Sequence, residues 1–176
     1  KQVFTAKMDN KGNFVWVSTI SVDTEASLNL IGTDQDGTIY IGGTFSGSLL
    51  AGEKKVSSNG RKDIFLARID PKGIIEDLFS FGGEGDEMLQ AMEIDNSGNI
   101  FLTGSYSQPF EVKGSKLIMG LTYNKSNSFI SKFDENFKPL WVNRIEGEDY
   151  CEISSLKLDQ HSNVLIAGSF NSRIHI

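Results

Sequence analysis

A stretch of twelve residues occurs three times in this chain, and this internal repeat constrains the fold more than any other feature. The copies are DQDGTIYIGGTF from Asp34, DNSGNIFLTGSY from Asp95 and DQHSNVLIAGSF from Asp159. A shorter stretch recurs with them as FTAKMD, FLARID and FISKFD, starting at Phe4, Phe65 and Phe129. Successive copies of both stretches are 61 and then 64 residues apart, so the chain divides into three repeats, 4–64, 65–128 and 129–176.

The residue pattern inside each repeat predicts strands joined by tight turns. Apolar and polar residues alternate in both stretches, which is the period of a β-strand with one buried face. Each hairpin turn begins with an Asp whose side chain can accept the backbone N–H two residues on, and these aspartates are Asp9, Asp34, Asp70, Asp95, Asp134 and Asp159. A Gly usually follows three residues later, but Phe137 and Ser162 replace it in the third repeat, and we expect the turn at Phe137 to be longer or looser.

Four short strands per repeat, without helical periodicity, predict an all-β fold of the β-propeller type. Propeller blades are four-stranded antiparallel sheets that recur every 40 to 60 residues or so. A Gly recurs inside one strand of each repeat, at positions 43, 104 and 168, which indicates close backbone approach or a bulge. A β-sandwich requires no such period, and a solenoid coil of about 20 to 30 residues is too short. The chain is therefore predicted to be a single propeller segment, part of a larger propeller.

The blades are predicted to be offset from the sequence repeats. If the hairpin containing the twelve-residue stretch lies innermost, one blade runs from Leu28 to Phe81 and the next from Leu89 to Ile145. The chain then opens with two outer strands of one blade and closes with two inner strands of another. These parts make three blades, whereas a closed ring needs about four or more. Further residues, association of several copies and an open array all remain possible.

Composition excludes several classes of function. The net charge of −6 and the pI near 4.9 argue against nucleic acid as a partner, because such binding depends on clustered Lys and Arg. The single Cys151 excludes an intrachain disulfide and a thiolate zinc site. No apolar run approaches the roughly 18 residues of a transmembrane helix. Residues 1–20 lack the pattern of a signal peptide, so we expect that an exported form has lost its signal.

Catalytic residues are not evident in the sequence. A nucleophile needs a neighbouring base, and the only histidines are His161, in a predicted turn, and His175, in the last strand. Neither histidine has a recurring partner. Cys151 borders an acidic loop, where a lone Cys usually behaves as a small apolar residue. We therefore predict no catalytic residues and no bound cofactor.

Acidic loops at equivalent positions of the three repeats are the predicted ligand-binding rim. Their sequences are SVDTEAS, GGEGDEM and EGEDYCE, starting at Ser21, Gly82 and Glu146. A propeller would place all three on one face. The candidate rim residues, with one tyrosine from the link after the second repeat's inner strand, are Asp23, Glu25, Glu84, Asp86, Glu87, Glu148, Asp149, Tyr150 and Tyr123. Such oxygen-rich loops can bind calcium, but none has the D-x-D-x-D-G spacing of a calcium site.

The repeat resembles a known family, the bacterial seven-bladed β-propeller repeat, or SBBP repeat. The matching segments are DIFLARIDPKG from Asp63, FGGEGDE from Phe81 and IDNSGNIFLTGSYS from Ile94, and TIYIGGTFSG in the first copy. Asp77 stands where the family pattern has Trp, and residues 147–150 replace its Gly-Gly loop. The resemblance covers nearly the whole chain and rests on turn and strand signatures. It implies a secreted or cell-surface module of a large bacterial protein, many of them from Bacteroidetes.

The function predicted from these observations is binding or scaffolding without catalysis. The expected partner is a protein or a glycan, met at the bacterial cell surface or outside the cell, within a longer chain or a multi-protein surface assembly. The alternative is a propeller hydrolase or lyase that acts on polysaccharide through the rim carboxylates. A close pair of carboxyl groups in one cleft would favour the enzyme, whereas acids spread around the rim would favour the binding module.

Overall fold

The computed structural model describes residues 1–112, 127–147, 150–171 and 173–175, and their regular structure consists of strands alone. No helix that could span a lipid bilayer occurs in these ranges. The strands are β1 (Gln2–Met8), β2 (Phe14–Val22), β3 (Glu25–Thr33), β4 (Ile39–Ser46), β5 (Ser48–Ala51), β6 (Lys54–Ser57), β7 (Asp63–Ile69), β8 (Ile75–Phe81), β9 (Glu87–Ile94), β10 (Ile100–Tyr106), β11 (Asn127–Phe133), β12 (Pro139–Gly147), β13 (Cys151–Leu158), β14 (Val164–Phe170) and β15 (Ile174–His175).

The strands form antiparallel sheets whose boundaries are offset from the sequence repeats, as predicted. One four-stranded sheet has the order β3-β4-β7-β8, and we call it blade 1. Blade 2 has the order β9-β10-β11-β12, with β15 added at its outer edge. The chain opens with β1 and β2, the leading half-blade, which also pairs with β5 and β6, and it closes with β13 and β14, the trailing half-blade. These four sheets do not form a closed ring in the described part of the chain.

The turn aspartates have the structural role that the sequence predicted. Asp95 Oδ1 accepts the N–H groups of Ser97 and Asn99, both at 2.9 Å, and the same two bonds recur at every turn Asp. The expectation of a looser turn at Phe137 is wrong. Phe137 adopts a φ of 62° and keeps the hydrogen bond to Asp134 O at 3.0 Å. Its ring is buried and stacks on Phe79 at 5.8 Å, and this packing offsets the cost of the left-handed backbone.

The recurring strand glycines lie at bulges where no side chain fits. The pairing of β3 with β4 shifts between Leu28 and Leu30, opposite Gly43. A Cβ on Gly43 would lie 2.0 Å from Ser27 O, and the equivalent contact of Gly104 is 2.3 Å from Met88 O. Both approaches are far below van der Waals distance, so the predicted close approach of the backbone is confirmed.

Each link after an inner hairpin returns to the outer strand of the preceding sheet. Val22 of β2 pairs with Leu49 of β5, and Gly147 of β12 pairs with Ile174 of β15. Both pairs occupy the same repeat position. In the middle repeat Phe110 lies at the matching place, where its Cβ is 2.7 Å from the position of a Cβ on Gly83. These links fasten successive sheets together.

The two largest apolar cores lie between sheets, and smaller clusters around Leu156 and Ile153 join the trailing half-blade to blade 2. The larger contains aromatic rings from both blades, with Phe81 only 5.4 Å from Phe133 and 6.1 Å from Phe110. The other joins the leading half-blade to blade 1 around Ile20 and Phe65. Since the sheets pack face to face in sequence order, the loops at one end of each sheet lie beside those of the next.

Candidate functional site

The loops predicted to form the acidic rim lie, in the described part of the chain, where β2, β8 and β12 end and β3, β9 and β13 begin. Loops of blade 1 and blade 2 meet there, since Lys62 forms an isolated bridge with Asp86 and its carbonyl accepts the N–H of Glu87 at 2.8 Å. Tyr123, Glu148 and Asp149 lie outside the described residues. The other six candidates are described, and they have different environments.

Asp23 has a structural role in the rim. Its Oδ1 accepts the backbone N–H of Ser48 at 2.6 Å and the hydroxyl of Thr24 at 3.2 Å. The bond from Ser48 is the main reason that the pKa of this exposed carboxyl is lowered. Asp23 therefore holds the start of β5 against the end of β2.

Glu25, Glu84 and Asp86 form the exposed acidic part of the rim. Glu25 lies 3.8 Å from Lys62, and its side chain is 61% exposed. Asp86 lies 3.5 Å from Arg61, and both pairs are open enough to solvent to contribute little to stability. Glu84 is exposed, and the described residues give it no ion pair. These side chains can exchange their present contacts for those of a ligand.

Glu87 is not on the surface, because it forms a buried pair with Asp63. Both side chains are 0% exposed. A Cβ on Gly82 would lie 2.5 Å from both Asp63 Cγ and Glu87 Oε2, so the two carboxyl groups flank the same point. One oxygen of each is satisfied by the backbone, Asp63 Oδ2 by the N–H of Asn59 at 3.0 Å and Glu87 Oε2 by that of Gly83 at 2.8 Å. The second oxygen of each carboxyl group has no hydrogen-bond partner.

The environment of this pair favours the protonated form of at least one carboxyl group. Burial raises the pKa of Glu87 to about 7, the N–H of Gly83 opposes that rise, and the charges of Asp63 and Asp86 add to it. Burial also raises the pKa of Asp63, against the N–H groups of Asn59 and Gly60. The two carboxyl groups flank Gly82 in a space closed to solvent, so a proton on one of them removes most of the cost of burying two charges.

The described residues do not offer an evident metal site. Calcium takes six to eight oxygen ligands, and no group of three or more His, Cys, Asp or Glu side chains placed to hold a metal occurs in the described ranges. Asp63 and Glu87 supply only two carboxyl groups, both enclosed.

Tyr150 marks the rim of the trailing half-blade. It is 38% exposed, and its hydroxyl donates to Glu152 Oε2, whose charge raises the pKa of the phenol through this hydrogen bond. The other oxygen of Glu152 accepts from Gln90 Nε2 of blade 2 at 3.0 Å. Tyr150 thus lies over the junction of two sheets, where its ring can contact a ligand.

Cys151 is expected to be unreactive in the folded protein. It is 2% exposed, and burial raises the pKa of its thiol, which lowers the fraction of nucleophilic thiolate. We predict that a thiol reagent such as DTNB modifies Cys151 at least 100-fold more slowly in buffer than in 6 M guanidinium chloride. Modification at equal rates would show that the trailing half-blade does not protect this residue.

Sequence reasoning missed Asp63 as the partner of Glu87. The available signal was its place at the head of DIFLARID, where an Asp begins a strand that is otherwise apolar on its buried face. In the next repeat, the position of Asp63 is occupied by Asn127, which is also buried. The position of Glu87 is occupied by Cys151. The carboxyl pair is therefore specific to the junction between blade 1 and blade 2.

Comparisons with known proteins agree with a repeat architecture. No protein family model matches the chain. The chain is 23% identical over 157 residues to an uncharacterised WD repeat-containing protein of Acanthamoeba polyphaga mimivirus, a match that covers 87% of this chain and 11% of that protein. The chain thus spans about a ninth of the length of this relative. The similarity is to a repeat protein of the propeller type, and it assigns no activity.

Proposed function

We propose that this chain is a segment of a β-propeller that binds a protein partner on its acidic rim, as a non-catalytic scaffold at the cell surface or outside the cell. The observation on which the proposal rests is that loops from successive sheets bring exposed carboxylates to one end of the molecule. Glu25 and Glu84 belong to different loops of that end and are both exposed. Loops on a rigid scaffold are the usual place for recognition.

The expected partner surface is basic. The chain has a net charge of −6, and the exposed carboxylates of the rim have at most long, solvent-exposed ion pairs that a competing cation can replace. Complementary charge increases the rate and specificity of association more than its strength. The name of the viral relative refers to WD repeats, and a repeat propeller is compatible with protein recognition. The resemblance to SBBP repeats is the basis for the proposed extracellular location and bacterial origin.

A polysaccharide hydrolase or lyase is the second candidate, because Asp63 and Glu87 are a close carboxyl pair. Glycosidases use two such groups, one of them kept protonated by an apolar setting. Both side chains here are 0% exposed, whereas a glycosidic oxygen must come within hydrogen-bonding distance of the acid. We therefore favour a structural role for the pair.

Charge reversal on the rim tests the binding proposal. The double variant Glu25→Lys/Glu84→Lys is expected to bind an immobilised Arg- and Lys-rich peptide at least tenfold more weakly in 50 mM salt, because two attractive charges become repulsive. Surface plasmon resonance measures the change. The control is Asp36→Lys/Glu135→Lys, which makes the same change of net charge at exposed turns at the other end of the sheets. Equal losses in both variants would show that the rim is not the binding face.

A further inference from the structure

In the described part of the chain, β1 and β14 have open edges that their repeat equivalents do not have. The inner strands β4 and β10 each pair on both sides, whereas β14 pairs only with β13. The strands β7 and β11 also pair on both sides, whereas β1 pairs only with β2. β14 therefore lacks a neighbour equivalent to β7 or β11, and β1 is such a strand. In turn, β1 lacks a neighbour equivalent to β4 or β10, and β14 is such a strand.

The side chains of these two strands show the same complementarity. In the complete blades a Phe of the third strand covers the bulge glycine of the second. A Cβ on Gly43 would lie 2.9 Å from the ring of Phe65, and one on Gly104 would lie 2.5 Å from the ring of Phe129. The equivalent Gly168 has no ring over it among its nearest neighbours, although it makes the same close contact with its own hairpin.

Phe4 is the equivalent phenylalanine of β1, and it has no bulge glycine to cover. It holds the repeat position of Phe65 and Phe129, which are 0% and 1% exposed, yet it is 67% exposed itself. On the other strand Ile166 and Phe170 are 41% and 49% exposed, although their equivalents in β4 and β10 are buried. Each open edge therefore exposes apolar side chains that a strand of the other type covers in a complete blade.

We propose that β1 of one copy of this chain pairs with β14 of a second copy and so completes a blade from two half-blades. The registers of β4 with β7 and of β10 with β11 define the expected alignment, in which Phe4 lies opposite Gly168 and Lys7 opposite Leu165. A lysine at the position of Lys7 also occurs in blade 2, where Lys132 Nζ lies 4.8 Å from the centre of the Phe101 ring of the paired strand. Main-chain hydrogen bonds along the two edges supply most of the affinity.

A cleft beside β14 provides room for the outer strands of the second copy. It is lined by Ile130, Ile145 and Ile166, together with Asn143 and Arg144. At the junction of the two complete blades β11, the repeat equivalent of β1, fills the corresponding space, where Phe133 packs on Phe79 and Phe81 of β8. The half-blade formed by β1 and β2 would close the cleft in the same way.

The number of copies follows from the number of blades. The 176 residues of one copy contribute two complete blades and two halves, so a head-to-tail dimer of this segment contains six blades and a trimer nine. Closed propellers typically contain four to eight blades, and a head-to-tail contact forms a ring only when its rotation closes. The proposal therefore predicts a closed dimer of two 19.4-kDa chains.

Light scattering coupled to size exclusion tests the proposal on the 176-residue chain. The expected mass at 50 µM is that of two chains, and Phe4→Asp should weaken the dimer at least tenfold because a charge would be buried against Gly168. Ile74→Asp is the matched control, since Ile74 is 62% exposed in a turn of blade 1. A monomeric wild type, a polymer larger than a dimer, or a dimer unaffected by Phe4→Asp would overturn the proposal.

A cross-link tests the register independently of stability. Lys7 and Leu165 are exposed, so cysteines at both positions should be tolerated and should be joined between copies by a short bis-maleimide, while the buried Cys151 stays unreactive. Ala6→Cys/Leu165→Cys is the control, because adjacent residues of a strand point to opposite faces. Cross-linking of the first pair at least fivefold faster supports the register, and equal yields would overturn it.

Discussion

Replacement of Phe81 by Ala is expected to lower the free energy of unfolding by about 3–5 kcal/mol. The Phe81 ring is 2% exposed and lies between the two blades, with the rings of Phe133, Phe110 and Phe129 at 5.4, 6.1 and 6.2 Å. These rings come from three different segments, namely β11, the link after β10 and β8 itself. Removal of the Phe81 ring takes away its contacts with all of them and leaves a cavity that the rigid sheets cannot close.

Chemical denaturation with urea, followed by Trp fluorescence, measures this change. Phe81→Leu should cost less than half as much, because most of the volume is kept. Ile74→Ala is the surface control and should change the free energy of unfolding by less than about 0.5 kcal/mol. A loss below 1 kcal/mol for Phe81→Ala would contradict the packing of the two blades around this ring.

The buried carboxyl pair is expected to make the protein less stable at neutral pH than in mild acid. The pKa of Glu87 rises from 4.5 to about 7 on folding, so the folded state binds more protons than the unfolded state between these values. The free energy of unfolding then falls as pH rises from 4.5 to 7, by roughly 3 kcal/mol in all, and levels off above pH 7. The raised pKa of Asp63 acts in the same direction.

Turn aspartates lower the stability at still more acidic pH. Hydrogen bonds from Asn13 and Asn163 lower the pKa values of Asp9 and Asp159 below 3.8. Their contribution is present above the unfolded value and is lost as pH falls through the folded one. Stability should therefore be greatest near pH 4 to 5.

Glu87→Gln is the variant that isolates the effect. It replaces the titrating group by an uncharged amide of similar size, so the decline in stability between pH 4.5 and 7 should fall to less than half of the wild-type decline. Glu84→Gln changes an exposed carboxylate three residues away and should keep the full decline. Urea denaturation at pH 4.5, 6 and 8 measures all three proteins, and equal slopes in Glu87→Gln and wild type would show that the pair does not share its environment as described.

The sheet order could be predicted from the sequence because local chemistry repeats. An Asp at each turn accepts backbone N–H groups two and four residues on, and this geometry depends on neighbouring residues alone. The constant distance between the two repeated stretches then indicated how four strands form one blade. The offset of the blades from the repeats followed from placing the hairpin of Asp95 innermost, and β3, β4, β7 and β8 do form one sheet, whereas β5 and β6 pair with the leading half-blade.

Features that depend on contacts between sheets could not be predicted. Asp63 and Glu87 are 24 residues apart, and they meet only because β7 of blade 1 begins beside β9 of blade 2. Phe137 keeps a tight turn because Phe79 and Tyr40 from blade 1 hold its ring. The sequence around Glu87 does not indicate Asp63 as its neighbour, and the sequence around Phe137 does not indicate Phe79 or Tyr40.

The hairpin of β5 and β6 was also missed. The four strands predicted for each repeat do not include it, because strands of four residues are too short for a clear alternation. The pairing of β5 with the end of β2 attaches this hairpin to the preceding sheet, Asp23 anchors it through Ser48, and Leu49 packs in the apolar core beside Ile20. A strand whose partner lies in the preceding sheet gives no local signal.

Amide hydrogen exchange tests most directly the claim that sheets cross the boundaries of the sequence repeats. The account predicts that β4, β7, β10 and β11, which pair on both sides, exchange most slowly and to a similar extent, with β3 and β8 faster. In a dimer, β14 and β1 should be as slow as their equivalents, and Phe4→Asp should release both. Rapid exchange of β7 and β11 beside slow exchange of β2 and β3 would mean that each blade coincides with one repeat, which would contradict the account.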